Sequence, residues 1–109
     1  MIQVTITKTR KNSIRSFVIA GHAGYAESGQ DIVCSAVSVL SINTINALSA
    51  YTSQQFEVET DEKTGTIKVD FPETLDHDAE LLVNTMILGL ESIEDGYDGK
   101  YIHVDFREV

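Results

Sequence analysis

Ile2, Val4 and Ile6 alternate with Gln3, Thr5 and Thr7, the period of a strand with one face on a core and the other in water. After the polar turn KTRKNS, the segment IRSFVIAG reads as a second, more buried strand, and the short connection predicts a hairpin. QFEVETD and TIKVDFP repeat the pattern around a turn containing Gly65, with Phe56, Val58, Ile67, Val69 and Phe71 at the apolar positions; a second hairpin follows. In KYIHVDFRE, Ile102, Val104 and Phe106 share one face and His103 falls on the other, which predicts a fifth strand. Between the hairpins the period changes. In DIVCSAVSVLSINTINALSAY, Val33, Val37, Leu40, Thr44, Leu48 and Tyr51 recur at steps of three and four, so a long buried helix is expected. Its Ser, Thr and Asn residues lower intrinsic propensity, so packing has to hold it. Ile32, Val39 and Ile42 form a second apolar stripe that can serve a dimer. A second helix is expected from Thr74 to Asp95, with Ala79, Leu82, Met86 and Leu90 on one face, acids in its first turn and Gly96 stopping it. The order ββαββαβ predicts an α+β fold, an antiparallel or mixed sheet covered by two helices.

Composition narrows the function classes. The 109 residues contain one proline, Pro72, no repeat and no linker-like tract, so residues 1–109 are expected to form a single domain. Formal charge is −9, from 17 acidic residues against 8 Lys and Arg. That field opposes direct nucleic-acid binding and favours a basic partner, although acidity can also serve solubility alone. No run of eighteen apolar residues and no leader-like start is present, which predicts neither a membrane contact nor export and a cytoplasmic location. One cysteine cannot form an internal disulfide, and with three histidines it is a poor ligand set for a closed metal site. A free thiol and no metal or cofactor are expected.

The candidate chemistry lies in GHAGYAESGQDIVCSA, residues 21–36. Asp31, with Gln30 as the alternative, stands where an N-cap belongs, which would put Cys34 in the first helical turn; unpaired N–H groups and the helix dipole there would favour a thiolate and could hold an oxyanion. His22, just after the second strand, would be a neighbour able to exchange a proton with the thiol. Spacing leaves a second reading open, in which Gly21–His22 is a plain strand exit and Cys34 a packed hydrophobe. Asp31 is a candidate to orient His22, to cap the helix, or both. Ser38, one turn beyond Cys34, either touches the site or bonds back to a helix carbonyl. Gly21, Gly24 and Gly29 flank a segment that could close on a bound peptide or serve as an ordinary surface loop. Asp76, His77 and Asp78 point around a helix rather than converging on a metal. His103 faces outward, and Glu91, Glu94 and Asp95 crowd a helix end that disfavours negative charge, a sign that acidity has a use.

The ordered segment Gly21–His22–Ala23, Gly29, Asp31–Ile32–Val33–Cys34, Ala36 and Ser38 closely resembles the bacterial ribosomal-processing cysteine protease family. The resemblance implies a cytoplasmic, homodimeric endopeptidase that removes the N-terminal extension of the large-subunit ribosomal protein numbered twenty-seven, cutting after an aromatic residue. It implies that Cys34 is the nucleophile and His22 its base. Ser35 departs from the alanine common in the family. The competing reading is a non-catalytic dimer that binds a ribosomal protein or peptide in the same groove.

Overall fold

In the computed structural model, described for the backbone of residues 1–21 and 28–109 and for their side chains outside 28–31, the alternating segments become β1 (Ile2–Lys8), β2 (Ile14–Ala20), β3 (Glu57–Asp61), β4 (Thr66–Asp70) and β5 (Ile102–Glu108). The periodic segments become α1 (Ser28–Tyr51) and α2 (His77–Gly96). The strands form one mixed sheet in the order β3-β4-β2-β1-β5. Both expected hairpins are antiparallel, β4 pairs antiparallel with β2, and β5 runs parallel to β1. The parallel pair exists because the α2 crossover returns the chain to the side of the sheet where β5 starts.

Register places Val4 opposite Ile19 and Val104, and Ile6 opposite Phe17 and Phe106. The residues that alternate apolar along each strand therefore line up across strands into one apolar face. Ile2, Val4, Ile6, Phe17 and Val69 on it are at most 1% exposed, in one core with Val33, Val37 and Leu48 of α1 and Val83, Met86 and Leu90 of α2. Full burial of such a side chain is worth roughly 1.5–3 kcal/mol. Both helices thus cover the same face, and the opposite face presents Thr5, Ser16, Lys68 and Asp70.

Four expectations shift. The stripe of α1 that reaches the core is Val33, Val37, Ser41, Thr44 and Leu48, with Leu40 half-buried and Tyr51 exposed. Leu40 instead meets α2 at Gly89, where an added Cβ would lie 3.0 Å from its methyl carbon. Second, α2 starts three residues later than the period suggested, because the Asp76 carboxylate accepts the Ala79 N–H at 2.8 Å and fixes the N-cap there. It also runs through Gly96, with the chain leaving at Tyr97 and turning through Asp98 and Gly99 at positive φ. Third, β3 is an edge strand with all five residues exposed, Val58 included, since no element covers that margin. Fourth, Ile32–Tyr51 has a mean hydropathy of 1.6 and the length to cross a membrane, a property missed by counting unbroken apolar runs. In this fold its apolar stripe lies in the core.

The other edge, β5, is covered by α2. The Glu94 carboxylate accepts the Val104 N–H at 2.7 Å and lies 3.2 Å from His103 Nδ1. This gives an acid at an unfavourable helix end a local partner and blunts a strand edge.

Gly21 closes β2 with φ +90°, and a Cβ there would lie 2.7 Å from the Met1 carbonyl oxygen. Gly21→Ala is expected to cost about 1–3 kcal/mol of stability, whereas Gly96→Ala, with nothing within 4 Å, is expected to add up to about 1 kcal/mol. Urea unfolding of both variants checks the contrast, and equal effects would contradict it. Asp76→Ala is expected to cost about 1 kcal/mol by the same measurement.

Candidate active site

Cys34 is half-buried and free. It lines a pocket of about 120 Å³ with Ile2, Ile19 and Gly21 at the N-terminal end of β1 and the exit of β2, Val37, Ser38 and Ser41 along α1, and Gly65 and Ile67 from the β3–β4 hairpin. Four chain segments separated in sequence converge there. The walls are mainly aliphatic, and the polar groups sit on the α1 side. Gly21 is in this lining, so the chain leaves β2 at the pocket that holds the thiol.

The helix begins earlier than Asp31. Cys34 is the seventh residue of α1 and lies in its second turn, so the expected N-cap at Asp31 and the expected first-turn thiol are both corrected. Asp is favoured in the first turn as well as at the cap, and the sequence SGQD satisfies either frame. The consequence is chemical. In a continuing helix the Cys34 N–H bonds back to the carbonyl of residue 30, so it is not free to hold an oxyanion, and the dipole's influence is concentrated in the turn before it. Gly29 is the second residue of the helix rather than part of a loop. His22 and Gly24 lie outside the described residues, as does the Asp31 side chain.

Ser38 is exposed and borders the pocket. Its carbonyl accepts from Ser41 at 3.2 Å. Ser41 is the residue that sequence reasoning passed over: it is fully buried, lines the same pocket, and its hydroxyl donates to the Val37 carbonyl at 2.7 Å. With its proton committed to the helix, Ser41 can only accept from a group in the pocket. Its position seven residues after Cys34 was the available signal, since two helical turns return to the same face. Gly65 and Ile67 had no comparable signal, because only the tertiary fold folds their hairpin over α1.

The remaining candidates separate from this pocket. Asp76 is a helix cap, and His77 pairs with its neighbour Asp78 at 3.2 Å on the exposed first turn. His103 faces outward as expected and belongs to the Glu94 contact at the β5 edge.

Residues 1–103 match the family model described as Cysteine protease Prp. The chain is 38% identical over 101 residues to the ribosomal processing cysteine protease Prp of Bacillus subtilis, covering 89% of this chain and 90% of that one. It is 31% identical over 98 residues to the protein of the same name in Staphylococcus aureus, covering 90% and 92%. The crystal structure of the S. aureus protease in complex with a substrate peptide superposes with a TM-score of 0.91 at 28% identity, over 98% of this chain and all of that one. A Streptococcus mutans protein superposes at 0.89 with 30% identity, over 100% and 96%.

Because Cys34 opens onto a pocket in the folded state, iodoacetamide is expected to alkylate it without unfolding. Ser38→Trp, with an indole at the pocket rim, is expected to slow that reaction severalfold while leaving the denatured-state rate unchanged. Mass spectrometry of timed samples gives both rates. Modification seen only in denaturant would show the thiol to be closed off.

Proposed function

Since the chain belongs to the cysteine protease Prp family, we propose that it is an endopeptidase that trims the N-terminal extension of a large-subunit ribosomal protein, the one numbered twenty-seven, with Cys34 as nucleophile and His22 as base. The observation that carries this reading is the convergence of the β2 exit, the second turn of α1 and the β3–β4 hairpin on the only cysteine of the chain. Family membership sets aside the non-catalytic binding module.

The reaction runs in two halves. His22 accepts the Cys34 proton, and the thiolate attacks the scissile carbonyl carbon, pushing an electron pair onto its oxygen. Collapse of that oxyanion breaks the C–N bond, the His22 imidazolium gives its proton to the leaving amine, and the new chain leaves as a product. A water molecule, deprotonated by His22, then attacks the thioester, and the acid product departs with return of the thiol. With Cys34 in the second turn, the thiolate depends chiefly on the His22 imidazolium, and the oxyanion needs donors other than the Cys34 N–H. Asp31 is proposed to orient His22.

The pocket supports the cleavage preference. Ile2, Ile19, Val37 and Ile67 form an aliphatic wall beside the thiol, suited to the aromatic side chain expected before the scissile bond. β3 carries Glu57, Glu59 and Asp61 on the sheet face opposite the pocket, all exposed, and supports long-range attraction of a basic substrate. The second apolar stripe, Ile32, Val39 and Ile42, is 50–66% exposed and is the proposed surface of a homodimer. A cytoplasmic location accords with a ribosomal substrate and a free thiol.

Cleavage of the extended ribosomal protein, with product mass locating the cut, tests the proposal. Cys34→Ala is expected to abolish cutting and His22→Ala to lower kcat/KM by about 10²–10⁴-fold; undiminished cutting by folded Cys34→Ala would overturn the mechanism. Raising salt from about 0.05 to about 0.5 M, over which the screening length tightens from above roughly 10 Å to a few Å, is expected to lower kcat/KM for the basic substrate. A flat salt profile would remove the steering role.

A further inference from the structure

The acidic field of this chain has one local exception. Four of its eight cationic residues, Lys8, Arg10, Lys11 and Arg107, gather where the β1–β2 turn meets the end of β5. Lys8, Arg10 and Arg107 line a cleft of about 290 Å³ together with Phe106 and Glu108. Among the described residues no carboxylate lies within ion-pair distance of Lys8, Arg10 or Lys11, and Arg107 is paired only with exposed Asp105 at 3.4 Å, a contact worth little in water.

The cleft is built on fixed backbone. Thr9 N–H donates to the Ser13 carbonyl at 2.8 Å, Asn12 N–H to the Thr9 carbonyl at 2.9 Å, and Val109 N–H to the Lys8 carbonyl at 2.8 Å, which ties the turn to the end of β5. Phe106 is 44% exposed although it lies on the apolar side of the sheet, because it stands near the end of the edge strand β5, while Ile6 opposite it is fully buried. The Lys8 ammonium sits 5.3 Å from its ring centre.

From this juxtaposition we infer that the β1–β2 turn and the end of β5 form a second binding site, separate from the Cys34 pocket, for a short single-stranded nucleic acid, with Phe106 stacking a base and Arg10, Lys11 and Arg107 holding the flanking phosphates. An aromatic face among cations, of which only Arg107 has a carboxylate partner among the described residues, is the combination that binds single strands, where stacking and phosphate contacts add. An acidic peptide would use the cations and leave the ring without a role. The net charge of −9 does not forbid the contact. Cys34 sits at the Ile2 end of β1, about 20 Å from Lys8 at the rise of an extended strand, and at physiological salt charges beyond about 8 Å are largely screened. The site is independent of the peptidase reading and would let the enzyme contact nucleic acid with one end while the other handles a peptide.

Fluorescence anisotropy with a labelled decauridine, at salt from about 0.02 to about 0.2 M, over which the Debye length falls from roughly 20 Å to roughly 7 Å, tests it on the full chain. Binding is expected to weaken with salt at a log–log slope of about −2, as for three phosphate contacts on a single strand. Arg10→Glu with Lys11→Glu, and separately Phe106→Ala, are each expected to weaken binding about tenfold, with Cys34 alkylation and peptide cleavage unchanged. A decathymidine arm separates RNA from DNA as the source, and binding of either supports the site. Absence of salt-dependent binding, binding unaffected by the substitutions, or equally effective displacement by polyglutamate would overturn the proposal; the last would make the cleft a site for acidic protein.

Discussion

One apolar sheet face sets the architecture. The inward residues of β1, β2, β4 and β5 align through register into a continuous surface, and that surface can leave water only if helices cover it. Because the other face is polar, α1 and α2 both have to lie on the same side, packed against one another where Gly89 admits Leu40. Two helices do not span five strands. β3 is left as an exposed acidic margin, and the far end of the edge strand β5 runs out beyond the cover, leaving Phe106 44% exposed.

The same constraint delivers the thiol. With α1 laid across the sheet, its first turns come down on the N-terminal end of β1 and the exit of β2, and the pocket forms between them and the β3–β4 hairpin. Gly21 is needed at the crossing because the chain turns through positive φ against the Met1 carbonyl. Helix placement, rather than a helix terminus, positions Cys34. Ser41, behind Cys34, is committed to the helix backbone.

Charge is distributed in a way that a net value conceals. The acids of β3 lie within the hairpin that walls the Cys34 pocket, on its opposite face, whereas the cations collect at the far end of β1. Screening makes these ends electrostatically separate. Glu94 shows the converse caution, since its position at an unfavourable helix end is explained by the Val104 N–H and His103 rather than by a ligand.

All five strands, both hairpins and both helices were legible in the sequence, because periods of two and of three to four report local geometry and sidedness directly. The ordered motif around His22 and Cys34 also identified the family before any coordinates. The helix starts were less legible: Ser28 and Asp31 are both acceptable at a cap or in a first turn, and for α2 the period ran past the point where Asp76 closes the N-terminus. Which α1 residues are buried, Ser41 rather than Leu40, depends on the rotation of the helix against its neighbours. By itself the sequence determined the elements, their order and the family, since these rest on local pattern and an ordered motif. The parallel β1–β5 pairing, the one-sided cover, the walls of the Cys34 pocket and the cationic cleft were decided by the tertiary structure, because each joins residues whose proximity no local spacing encodes.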